Sequence, residues 1–248
     1  TETFHELMKF ARLYNGRSHQ FDADPTVTDF ALAFRDAQQK RDPDVLLALA
    51  AGKVTPFQKA AALEQAAAWD KKANFIDQIP IEAVKKTAQM QNLLANFQAP
   101  EVVKQFGSED IKKWPFWKRG EGFHHRGRAY SITKNGEKAE SDLNAALEWI
   151  GDPRTRETVL LVQAQNRELN LKNDETALQA YEAILEGKTR LGGADEYSAL
   201  QGIARIQTRK GLFDEALKTL NRAEPERLQG VWKTNIEKSI EAVKQARK

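Results

Sequence analysis

The sequence predicts an all-α protein built from antiparallel helical hairpins packed side by side. Three observations carry that expectation. Alanine recurs at positions 139, 177 and 216, intervals of 38 and 39 residues, and each is followed four residues later by a bulky side chain, Leu143, Tyr181 and Leu220. A period of that size marks a repeated supersecondary unit. Proline follows a capping oxygen at Asp24-Pro25, Asp42-Pro43, Thr55-Pro56 and Asp152-Pro153, the pairing expected where a helix begins. Glycine is sparse, 14 in 248 residues, while alanine runs in blocks such as Ala60-Ala61-Ala62 and Ala66-Ala67-Ala68, which favours helix.

The third copy shows the logic most clearly. Leu200, Ile203 and Ala204 lie at helical spacing, Lys210-Gly211 breaks the chain, and Phe213 opens a second apolar face that continues through Ala216, Leu220 and Ala223. Two helices nest closely where side chains are small, so Ala204 and Ala216 let the backbones approach while Phe213 and Leu220 fill the space beside them. This pattern resembles the tetratricopeptide repeat (TPR), in which helix A carries a small residue and an aromatic and helix B an Ala-x3-bulky pair. The first copy matches through Phe123, Gly127 and Tyr130 in helix A and Ala139, Leu143 and Ala146 in helix B. The second keeps Ala177, Tyr181 and Ile184, and its helix A, around Leu160 to Leu171, registers in two ways. Arg126 stands where the family has leucine, the Lys134-Asn135-Gly136 turn is short, and both intervals exceed the family's 34 residues.

The resemblance implies hairpins stacked as a TPR-like right-handed superhelix over residues 114–248, with repeats at about 120–151, 158–190 and 197–225. A closing helix over 226–248 then covers the last hairpin, with Leu228, Trp232, Ile236, Ile240 and Val243 inward. An additional N-terminal helical region, 1–113, precedes it. There the pattern predicts helices over Glu2 to Tyr14, Pro25 to Lys40, Pro43 to Ala51 and Pro56 to Asp70. A short element at Phe75 to Ile79, a long helix from Pro80 to Phe97, and pieces at Pro100 to Phe106 and Glu109 to Lys113 come next. This half shows no repeat that aligns. Trp114-Pro115-Phe116-Trp117 marks the junction as an aromatic weld.

Composition narrows the chemistry. Net charge is +3 with 29% charged residues, so bulk charge demands neither nucleic acid nor membrane. The absence of cysteine removes disulfides, thiolate metal sites and thiol nucleophiles. No apolar run approaches the roughly 18 to 20 residues that cross a bilayer. The chain opens at Thr1 without methionine, so a signal removed upstream leaves periplasmic, exported and cytoplasmic locations all open. His5-Glu6 lacks a second histidine at Lys9, and the adjacent His124 and His125 point apart on a helix and chelate poorly. Gly187-Lys188-Thr189 lacks the leading glycine of a phosphate loop, since Glu182 occupies that place. No catalytic, cofactor or metal constellation emerges.

What remains is a surface. Carried over from the resemblance, the helix A positions that line the concave groove are His124, Arg128 and Ser131 in the first copy, Asn166 in the second, and Gln201, Arg205 and Thr208 in the third. Near the entrance, positions 112–128 carry a local charge of +5. Guanidinium groups grip carboxylates bidentately, so a protein or peptide of acidic character is the partner this chemistry suits. The carboxylate-clamp subfamily does not fit, because His124 and Arg128 replace its lysine and asparagine, and Ser198 and Gly202 stand where basic residues belong. The expected function is a non-catalytic protein-interaction scaffold. An accessory region of a larger, exported multidomain protein or enzyme, and a nucleic-acid-binding helical repeat, stand as alternatives.

Overall fold

The computed structural model describes residues 25–70, 75–186 and 193–247, and every regular element among them is a helix. The chain forms two compact units, Thr1–His125 and Arg126–Lys248. The first holds α1 (Pro25–Lys40), α2 (Pro43–Ala51), α3 (Pro56–Trp69), α4 (Glu82–Ala95) and α5 (Ala99–Phe106), with 3-10 turns at Ile76–Gln78 and Ile111–Lys113. Helix α6 (Phe116–Ile132) contains the division, between His125 and Arg126. The second unit continues with α7 (Gly136–Trp149), α8 (Pro153–Leu169), α9 (Asp174–Leu185), α10 (Ala194–Arg209), α11 (Phe213–Asn221) and α12 (Gly230–Ala246). The expected opening helix and the Gly187-Lys188-Thr189 stretch lie outside the described residues.

Helices begin at the four prolines. Asp42 accepts from the N–H groups of Asp44 and Val45, Thr55 forms a reciprocal capping box with Gln58, and Asp152 accepts from Thr155 N at 2.8 Å. Each pairing satisfies amides that the first helical turn leaves over. Asp24, ahead of α1, lies outside the described residues. The closing helix is shorter than expected. Pro225–Arg227 is a 3-10 turn, and Glu224 (φ 48°) and Gly230 (φ 61°) are both left-handed, so α12 starts only at Gly230.

In the first unit α1 packs on α2, α2 on α3, and α3 on α4. Phe30, Phe34, Leu46 and the alanines of α3 form one core. Ala60, Ala62 and Ala66 are fully inaccessible, so α3 is approached closely on several sides. Trp114 is buried over Gly122, where a Cβ would meet the ring at 2.6 Å, and Trp117 packs on Phe57 with centroids 6.2 Å apart. Phe116 is exposed.

One turn recurs through the chain. Between α4 and α5, Phe97 adopts left-handed angles (φ 60°), its N–H bonds Leu94 O at 3.2 Å, and Gln98 N reaches back to Leu93 O at 2.8 Å. Lys134 (φ 62°) closes α6 onto α7 with Lys134 N to Ser131 O at 3.1 Å and Asn135 N to Tyr130 O at 2.8 Å. Gly211 (φ 76°) closes α10 onto α11 with Gly211 N to Thr208 O at 3.0 Å and Leu212 N to Gln207 O at 2.9 Å. This is the Schellman closure, which satisfies the last carbonyls of a helix while reversing the chain.

Lys172 (φ 56°) plays the same part between α8 and α9 with one residue more, so that Asn173 N reaches Arg167 O at 2.9 Å. The left-handed residues 97, 134, 172 and 211 are therefore spaced 37, 38 and 39 apart. Five residues beyond each, Val102, Ala139, Ala177 and Ala216 are all fully buried. Four residues further come Phe106, Leu143, Tyr181 and Leu220, also buried. The periodic hairpin thus begins one hairpin earlier than the alanines mark, with valine in the small-residue place.

Within the second unit each helix from α7 onward packs on the next, and α10 also packs on both α8 and α12. Tyr181, Leu200, Ile206, Leu220 and Ile236 sit at the centre of its core. Trp232 of α12 lies against Tyr197 of α10 with ring centroids 5.7 Å apart.

Candidate functional site

The seven residues expected to line a groove fall into two groups. Asn166 is fully buried: its amide donates to Gly136 O at 3.0 Å and its oxygen accepts from Asn170 at 2.9 Å. The backbone explains why. Asn170 N bonds Asn166 O just as Thr133 N bonds Ala129 O and Lys210 N bonds Ile206 O, so Asn166 occupies the fully buried place of Ala129 and Ile206. The extra residue in the α8/α9 turn accounts for the two registers, and the place equivalent to Arg128 and Arg205 belongs to half-buried Gln165. His124 is buried within the first unit.

Ser131 accepts from the Asn170 amide at 2.9 Å through its carbonyl, which brings the end of α6 beside the end of α8. Gln201 donates to Ser239 Oγ at 2.9 Å and Asn235 O at 3.2 Å, tying α10 to α12. Thr208 donates to Ala204 O on its own helix. Arg128 and Arg205 stand exposed, four residues before the exposed Ile132 and Arg209. With Gln165 and the exposed Leu169 between them, these residues form a strip of i, i+4 pairs along the C-terminal ends of α6, α8 and α10.

One end of the strip is built on a carboxylate. Glu168 of α8 has a fully inaccessible side chain. Its Oε2 accepts from Arg205 Nη2 and Tyr181 Oη, both at 2.7 Å; its Oε1 accepts from Arg205 Nε at 3.1 Å and Arg209 Nη1 at 3.0 Å. Arg209 Nη2 also reaches Asp174 Oδ1 of α9 at 2.7 Å. Burial pushes the Glu168 carboxyl up, but the bonds from Arg205 and Tyr181, the Arg205 charge and the Arg209 bond outweigh it and hold it below the ordinary carboxylate range. The same surroundings, burial first and then the adjacent carboxylate, push the Tyr181 phenol upward. Four donors fill the Glu168 lone pairs, so this carboxylate fixes three helices and orients two arginines. Gly202 makes room for the phenol: a Cβ there would fall 2.2 Å from Tyr181 Cζ.

Two polar arrangements went unread in the sequence. Arg126 pairs bidentately with Asp142 of α7 at 2.7 and 2.9 Å, both largely buried. Arg167 and Gln163 of α8 both donate to Glu140 Oε1 of α7, at 2.6 to 3.0 Å. The basic stretch 112–128 is not one surface, since Lys118 is buried in an ion pair, Arg126 is buried on Asp142, and Arg119 donates to Trp114 O. Among the described residues no group of three or more His, Asp or Glu side chains is placed to hold a metal, and no helix is long and apolar enough to cross a membrane. The chain matches no protein-family model, no curated protein and no solved structure.

Proposed function

We propose that residues 126–248 form a non-catalytic protein-interaction module, a TPR-like right-handed array that receives a protein or peptide along Arg128, Ile132, Gln165, Leu169, Arg205 and Arg209. The observation that carries this reading is the edge-to-edge alignment of three exposed helix ends, set by the Ser131–Asn170 and Glu168–Arg205 bonds. Exposed Ile132 and Leu169 between exposed arginines offer an apolar contact flanked by cations. Such a surface suits a partner segment whose carboxylates meet the guanidinium groups while an apolar side chain lies between them.

The outer faces of α7 and α9 carry exposed Glu137, Glu148, Glu175 and Glu182, whereas the strip itself presents Arg128, Arg205 and Arg209, which favours an acidic partner. The test compares affinity capture by the intact chain with capture by an Arg128→Glu, Leu169→Ser double variant, both residues being exposed. Loss of the same partner from the variant, with unchanged thermal unfolding, supports the strip. Equal recovery by both removes it.

A further inference from the structure

The core of the first unit holds a charge cluster that helix packing does not require. Lys118 Nζ of α6 lies 2.7 Å from Glu64 Oε1 of α3 and 2.6 Å from Glu121 Oε2, and Thr87 Oγ1 of α4 is 3.1 Å from the same Glu64 oxygen. The Lys118 and Glu64 side chains are 2% and 6% exposed, Glu121 about one-third. Glu64 Oε2 is buried and accepts no hydrogen bond from any described residue. One ammonium is shared between the buried Glu64 carboxyl and the partly exposed Glu121, and the second Glu64 oxygen meets no donor among the described residues. Burying a charge in that state costs far more than burying a neutral carboxyl.

We infer that Glu64 is a proton-binding site: its carboxyl holds a proton, Lys118 then pairs with Glu121, and the proton passes to solvent as pH rises. Among the described residues, the groups acting on it are Thr87 from α4 and Lys118 and Glu121 from α6, while Lys86 of α4 is turned to Glu109 at 2.7 Å. Burial pushes the carboxyl above the ordinary glutamate range, the Lys118 charge pulls it back, and the Glu121 charge pushes it up again. The folded-state value being raised, the stability this proton confers is complete below the unfolded value and lost as pH rises through the folded one.

The test is infrared spectroscopy of the full chain through a pH titration. A neutral-carboxyl C=O band should persist above about pH 4.3, where free glutamate ionises. It should be absent from Glu64→Gln and disappear at lower pH in Glu121→Gln, a shift that a purely structural role would not produce. The denaturation midpoint of the native chain should also fall on alkalisation relative to Glu64→Gln. Identical spectra for native and Glu64→Gln overturn the inference. Should Glu64→Gln fail to fold, a band in Glu121→Gln that titrates as in the native chain overturns it equally.

Discussion

Glu64 and Glu168 are the same residue, each on a helix and each with a side chain sealed from water, yet their surroundings drive them in opposite directions. Glu64 receives one ammonium, shared with a second carboxylate, and one hydroxyl, and burial wins. Glu168 receives two guanidinium groups and a phenol, and hydrogen bonding wins. Donor count and depth together set the direction in which a buried carboxyl is shifted. A guanidinium supplies several N–H groups in a fixed plane and keeps part of its hydration at the surface, where Arg205 and Arg209 are still about half exposed. An ammonium sealed in the core must serve everything around it.

The sharpest way to break this contrast is Lys118→Met. It leaves Glu64 without its cation and should cost about 4 kcal/mol at alkaline pH, with a smaller loss under mildly acidic conditions, where the carboxyl takes up a proton. Denaturant unfolding at both pH values checks this, and an equal loss at each would contradict it. Glu168→Ala should come next, at about 3 kcal/mol, at the lower end for a broken buried pair because the freed arginines regain water. Its native counterpart is depressed, so the stability it confers is present above the ordinary glutamate value and lost as pH falls through the lowered one. Native and Glu168→Gln stability curves should therefore converge in acid, opposite to the behaviour at Glu64.

Gly202→Ala should cost about 2 kcal/mol by driving a methyl group into the Tyr181 ring. A Gly202→Ala, Tyr181→Leu double variant should lose less than the sum of its parts, because the second change vacates the space. The smallest effect is expected at the turns. Lys134→Gly should stabilise by about 0.5 to 1 kcal/mol and Gly211→Ala destabilise by about as much, since both positions are left-handed and only one is glycine. Thermal melts of the pair measure it.

The sequence made the hairpins readable where a small side chain sits against a neighbouring helix, as at Ala139, Ala177 and Ala216. It hid the place of the α4/α5 pair in the period because Val102 takes the equivalent buried position and α5 is short. Asn166 looked like a groove residue because the longer α8/α9 turn shifts helix A by one place relative to helix B. That length was visible in Asn170-Leu171-Lys172-Asn173 against Thr133-Lys134-Asn135, but only the bonds show where the extra residue is absorbed. Arg126 read as a departure because its compensation, Asp142, sits sixteen residues on in another helix. The Glu168 cluster draws on three helices, and no local spacing announces a contact of that kind.

The left-handed closure acts as a phase marker. Wherever it falls, the next helix begins after it and delivers its buried residue five places on, so a length change before the marker is taken up there without rotating the downstream helix. Connectors can gain or lose a residue while the packed faces keep their alignment. Exchanging whole hairpins at residues 97, 134, 172 and 211 should therefore preserve helix phase, and these are the natural joints for recombining pieces of this chain.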